Sequence, residues 1–115
     1  MPAENFKDNN YGNSVPVDIL IRQAVQLLEK KEFIKAINVC AYGIILCKKN
    51  NDEKGRHAMT AQAAHVAYIA GIYNMSEGNL DNAQKFFYEC IVYSSKNQDH
   101  KLASTLLLKY FVRRN

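Results

Sequence analysis

Few residues in this chain have types suited to chemistry, and their spacing argues against most of what they could do. The histidines are His57, His65 and His100. His57 and His65 stand eight residues apart, about two turns along one helix, which is too far for one zinc ion to take both. Cys40, Cys47 and Cys90 include no C-x-x-C pair that would supply thiolates to a metal. A cysteine nucleophile needs a base within hydrogen-bond reach and a third group to orient that base, and no motif signals either. The cysteines sit inside apolar runs, where a thiol behaves as a small hydrophobe. Gly12, Gly43, Gly55, Gly71 and Gly78 stand singly, so there is no phosphate-cradling loop. Asp52 and Glu53 are adjacent carboxylates in a polar stretch that reads as a solvated turn. No catalysis, no metal and no cofactor is expected.

The cations are more numerous. Lys48, Lys49, Lys54, Arg56 and Lys96 gather at one end of the helical segments, with Lys101 nearby. They could contact phosphates or an acidic peptide, but helix C-termini collect cations anyway, through the macrodipole and their orphan carbonyls. The net charge of +4 permits weak contact with acidic partners and is too small to imply nucleic-acid binding by itself. No exposed aromatics alternate with the basic residues as they do in a single-strand binder. Binding to nucleic acid or another acidic surface is therefore the alternative reading.

A chain of 115 residues supports one domain and one core. Its 48% apolar and 23% charged residues are ordinary for a globular protein. The start, MPAENFKDNN, has neither a basic nor an apolar region of the secretory kind. The longest apolar run, Val39 to Cys47, is nine residues and a membrane span needs about 20, so no span is expected. An odd number of cysteines within apolar runs predicts reduced thiols and an intracellular location, cytoplasmic or nuclear.

The elements that must position any site all read as helices. Residues 1–14 are rich in Asn and Asp and predict a disordered arm, with the folded domain over 15–115. Ser14 offers an N-cap oxygen and Pro16 suits a first helical turn. Leu20, Ala24, Leu27 and Leu28 then recur at helical spacing. Phe33, Ala36, Ile37, Cys40, Ile44 and Cys47 trace a second helix to about Lys49, and the polar KNNDEKGR ends it. A third, from about Arg56 to Met75, is rich in alanine, which predicts close approach on more than one side. A fourth follows SEGNLD, with Asn79 or Asp81 as its cap, and carries Ala83, Phe86, Phe87, Cys90 and Ile91. A fifth runs from about Asp99. No segment alternates with period two, so the fold class is all-α with about five helices.

The second and fourth segments are related. KEFIKAINVCAYGIILCKKNND recurs 47 residues later as GNLDNAQKFFYECIVYSSKNQD, pairing Ala36 with Ala83, Ile44 with Ile91 and Ile45 with Val92. Gly71, Gly78, Leu80, Ala83, Phe87 and Cys90 follow the order and internal spacing of the tetratricopeptide repeat, and Ala24, Phe33, Ala36, Cys40 and Gly43 take the same slots earlier. The chain therefore resembles a short tetratricopeptide-like stack of antiparallel hairpins over about residues 16–113. The unit is longer than the usual period of about 34, as in the repeats of kinesin light chain and related scaffolds or in HEAT-type pairs. Lys31 replaces the first turn glycine, and no proline closes either unit.

The resemblance implies a protein–protein interaction module, a scaffold or adaptor, whose first helices line a groove for a partner helix or peptide. Carried over position by position, that face comprises Asp18, Ile21, Val25, Leu28 and Glu29, then His65, Tyr68, Ile72 and Met75. The alternative for this face is burial under a cap, the arm or a second copy. The fifth helix would be a first helix lacking its partner. Solenoid ends are normally polar, yet it carries Leu102, Leu106, Leu107, Tyr110 and Phe111, which predicts self-association as a homodimer or a place within a complex.

Overall fold

The computed structural model describes residues 15–94 and 98–114, with residues 98, 99 and 110–114 described by their backbone alone. The predicted arm over 1–14 and Lys96 lie outside the described residues. The helices are α1 (Val17–Glu29), α2 (Phe33–Lys49), α3 (Glu53–Ser76), α4 (Leu80–Tyr93) and α5 (Gln98–Arg114). No strand occurs among the described residues, and the fold is all-α.

Three successive turns close their helices in the same way. Lys31, Asn51 and Gly78 adopt left-handed backbone, with φ of 62°, 57° and 80°. At the first, the Lys31 N–H donates to the Leu28 carbonyl (2.9 Å) and the Glu32 N–H to the Leu27 carbonyl (2.9 Å). At the third, the Gly78 N–H donates to the Met75 carbonyl (3.1 Å) and the Asn79 N–H to the Asn74 carbonyl (2.8 Å). This double bond pattern satisfies carbonyls that a helix end otherwise leaves orphaned. Only Gly78 enters that region without a Cβ; for Lys31 it costs about 1 kcal/mol.

Several positions 47 residues apart share their local setting. Phe33 and Leu80 both open helices, and Lys31 and Gly78 both form the turn before them. Ala36 and Ala83 are both fully buried, as is Ala24, whose counterpart is the buried Gly71. The first helices differ in length: α3 begins 11 residues earlier than α1 would place it.

Several boundaries depart from the sequence reading. Pro16 is itself the N-cap of α1 and not a first-turn residue. α3 starts at Glu53 rather than Arg56, because Asp52 caps it: its Oδ1 accepts the Gly55 N–H at 2.9 Å. Gly55 thus sits in the first turn and does not break a helix. Asn79 holds the N-cap position of α4 without a side-chain bond, and Asp81 lies in the first turn.

Consecutive helices pack side by side, and α3 also touches α1 and α5. Such a central position explains its composition. Ala63, Ala64, Ala67 and Ala70 are fully buried, so neighbours approach on several sides and no wide polar face survives. Where α3 crosses α4, Gly71 meets the ring of the buried Phe87. Phe33, Tyr73 and Phe86 join α2, α3 and α4, with ring centroids 5.4 Å (Phe33–Tyr73) and 6.1 Å (Phe33–Phe86) apart.

Candidate functional site

The face implied by the resemblance divides into two unlike halves. On α1, Asp18 and Glu29 are exposed, Val25 is 37% exposed, and Ile21 and Leu28 are half-buried against the core. Ile19, next to Asp18, is also exposed. On α3, His65, Tyr68, Ile72 and Met75 are all half-buried, with His100 of α5 against His65 and Tyr68. Leu107 and Leu108 of α5 join Tyr68, Ile72 and Met75 around Ala83 and Phe87. Among the described residues, the chain's own last helix meets the α3 half at His65 and Tyr68, while Asp18, Val25 and Glu29 of the α1 half are exposed.

Three rings close the seam between α3 and α5. His65 Nδ1 and His100 Nε2 are 3.2 Å apart. His100 stacks on Tyr68 with centroids 4.6 Å apart and planes 10° apart, and Tyr68 contacts Phe87 at 6.2 Å. Burial, and secondarily the charge of His100, hold His65 below the usual histidine range. The sequence reading measured only the spacing of His57 and His65 and missed this pair, whose members are 35 residues apart.

The cations are not equivalent. Lys48 and Lys49 close α2, Lys54 and Arg56 open α3, and Lys101 lies in the first turns of α5. Lys48, Lys49, Lys54 and Lys101 are exposed. Arg56 donates to Glu53 through Nη2 (2.6 Å) and Nε (3.4 Å), so its charge is already answered. The hydrogen bond and charge of Arg56 push the Glu53 carboxyl below its usual range, and Asp52 is lowered by N–H donors from Gly55 and Val15. Two carboxylates thus stand among these cations.

Of the residues predicted for self-association, Leu102 (63% exposed) and Leu106 (57%) point outward one turn apart. Leu107 packs inward, and the side chains of Tyr110 and Phe111 lie outside the described residues. Further exposed apolar residues lie on α2 (Ile34, Tyr42 and Ile45) and on α4 (Tyr88 and Val92). The signal for them was the match of Ile45 with Val92 at the repeat offset, both at outward positions. Between α2, α3 and α4 a cleft of about 360 Å³ is lined by Lys31, Lys35, Asn74 and the rings of Phe33 and Phe86.

The nucleophile candidates are quiet. All three cysteines are buried free thiols, and burial pushes Cys40 up to about 12. Burial, then the charge of Asp52, also raises Cys47. A thiol so raised stays protonated and is a poor nucleophile. Among the described residues, no three His, Cys, Asp or Glu side chains converge as metal ligands. No described helix is long and apolar enough to cross a membrane. No protein-family model, no curated protein and no solved structure matches this chain.

Proposed function

We propose that this protein is a non-catalytic protein–protein interaction module, a tetratricopeptide-like stack that takes a partner helix or peptide on the face of its first helices. One observation carries the reading. At the α3 half of that face, Tyr68, Ile72 and Met75 share the cluster around Ala83 and Phe87 with Leu107 and Leu108 of α5, and His100 of α5 stacks on Tyr68. A surface that seats an amphipathic helix from its own chain has the shape and chemistry to seat one from another. On α1, Val25 offers an apolar side chain that no described helix covers. The three buried free thiols fit a reducing, intracellular compartment.

Affinity capture with the full chain, compared with Val25→Glu, tests this reading. Val25 is exposed enough that the fold should tolerate the charge. One stoichiometric protein held at moderate salt, and weakened about tenfold or more by Val25→Glu with unchanged melting, is the expected result. Equal capture by both would reject the α1 face. Capture of nucleic acid with a steep salt dependence would favour the basic helix ends instead.

A second reading, self-association, is favoured by Leu102 and Leu106, which leave an outward apolar edge on α5. Light scattering should give a dimer that Leu106→Glu converts to a monomer. A wild-type monomer would remove it.

A further inference from the structure

We infer that the cleft between α2 and α4 binds an acidic residue of a partner peptide, whose carboxylate caps α2 and whose backbone N–H donates to Asn74. No residue of the first-helix face lines this cleft, so the inference stands apart from that reading. The turn before α2 and the first three residues of that helix supply one part of the lining. Asn82 and Phe86 of α4 supply another, and Asn74 comes from α3.

Asn74 is the residue that calls for a ligand. It is only 7% exposed. Its Nδ2 donates to the Ala70 carbonyl at 2.8 Å, one turn back along α3. Among the described residues no donor reaches its Oδ1. This oxygen is not sealed in the interior as Ser104 Oγ is, so it opens onto the cleft that Asn74 lines. A buried amide with its acceptor unmet costs stability. Packing does not require one here, because the position 47 residues earlier holds Leu27, which packs against the core. A ligand that presents N–H would meet the open acceptor.

The start of α2 makes the opposite demand. Its first bond runs from the Ala36 N–H to the Glu32 carbonyl at 3.0 Å. The N–H groups of Phe33, Ile34 and Lys35 have no acceptor among the described residues, and Glu32 holds the N-cap position without a side-chain bond. Asp52 caps α3 where α2 has nothing comparable. Uncapped N–H groups and the positive end of the helix dipole both favour a carboxylate. Lys31 and Lys35 are exposed cations on the same lining, against one carboxylate, Glu32. The Lys31 Nζ lies over the Tyr73 ring, 5.5 Å from its centroid, and the Lys35 Nζ is 3.0 Å from Glu32. That ion pair is exposed and weak, so Lys35 can turn to a bound anion.

One ligand residue meets both demands. An aspartate or glutamate within a peptide carries a carboxylate for the α2 N–H groups and, on the same residue, an N–H for Asn74 Oδ1. Acetate or an inorganic anion meets only the first. Apolar neighbours in the peptide find Ile34, which is 67% exposed, and the rings of Phe33 and Phe86. The cleft volume of about 360 Å³ sits at the small end of ligand sites, about 300–1,000 Å³, and suits a residue or two of extended chain rather than a helix.

A nuclear magnetic resonance titration of the isotope-labelled full chain with acetyl-Leu-Asp-Leu-amide, blocked at both ends, tests the site. The peptide should shift the backbone amides of Phe33, Ile34 and Lys35 and the side-chain amide of Asn74, saturating with a Kd of about 1 mM. Replacing its aspartate by asparagine, or methylating the aspartate nitrogen, should each weaken binding about tenfold. Asn74→Leu, which installs the residue type of the first unit, should weaken it about tenfold while melting at or above the wild type. Lys35→Gln changes an exposed side chain, leaves the fold intact, and should weaken binding about threefold with a smaller salt dependence. Acetate should bind at least about tenfold more weakly than the peptide. The inference is overturned if residues 33–35 do not shift at about 10 mM peptide, or if either altered peptide binds as the parent does. It is also overturned if a folded Asn74→Leu binds normally, or if acetate matches the peptide, which would leave a bare anion site. Should Asn74→Leu fail to fold, the N-methylated peptide and Lys35→Gln decide, and unchanged binding in either overturns it.

Discussion

Gly71→Ala should destabilise the protein, although replacing glycine by alanine inside a helix normally does the reverse. The normal gain is about 1 kcal/mol from backbone entropy and exposure. At this site a Cβ would lie 2.5, 2.6 and 2.8 Å from three ring atoms of Phe87. Phe87 is fully buried and its ring packs within the cluster of Tyr68, Ile72, Met75 and Leu107, so it has nowhere to retreat. Overpacking of this kind costs about 1–3 kcal/mol, and three contacts well inside van der Waals distance argue for the upper part of that range. The net loss is then about 1–2 kcal/mol, which moves the melting temperature of a domain this size down by roughly 4–16 °C. Gly43→Ala is the internal control. Its Cβ would meet Met59 atoms at 2.9, 2.9 and 3.0 Å, but these belong to an unbranched side chain that, although also fully buried, can change rotamer where a ring cannot. It should be less harmful than Gly71→Ala. Urea unfolding followed by circular dichroism measures both, and Phe87→Leu combined with Gly71→Ala should recover part of the loss through coupling between the sites. If Gly71→Ala melts at or above wild type, or if Gly43→Ala is the more harmful of the two, the close crossing of α3 and α4 is not what selects glycine at 71.

Two further outcomes follow from single polar groups. Asp52 caps α3 and its Oδ2 also accepts the Val15 N–H at 3.1 Å, so Asp52→Ala should cost about 1–2 kcal/mol and loosen the start of α1. Since these donors lower its pKa, the Asp52 contribution is present above about pH 4 and is lost as pH falls through the lowered value, and Asp52→Ala should flatten that part of a stability–pH curve. A wild-type slope retained in the variant would assign the loss to other carboxylates. Ser104 is fully buried with no hydrogen-bond partner for its Oγ, so Ser104→Ala should be neutral or stabilising by up to about 1 kcal/mol in the same unfolding assay. A loss greater than about 1 kcal/mol would mean that the hydroxyl has a partner.

The sequence by itself determined the helices and much of what they bury. Spacing alone marked Phe33 to Lys49 as one helix and Ala36 and Ala83 as buried, because side-chain periodicity and turn chemistry act within a few residues of chain. It was also enough to mark the α1 and α3 residues that would share a face if the repeat held. It misplaced the start of α3 because Gly55 and the charged residues around it look like a breaker when the Asp52 cap is not in view. Which half of the face meets α5 was a matter for tertiary structure alone. Tyr68 has the same character whether solvent or His100 of α5 lies against it, and nothing local distinguishes the two. The same holds for His65 and His100, separated by 35 residues, and for Asp52 and Val15, separated by 37. Such pairs have no periodic signature, because their meeting depends on how whole helices pack rather than on the residues beside them.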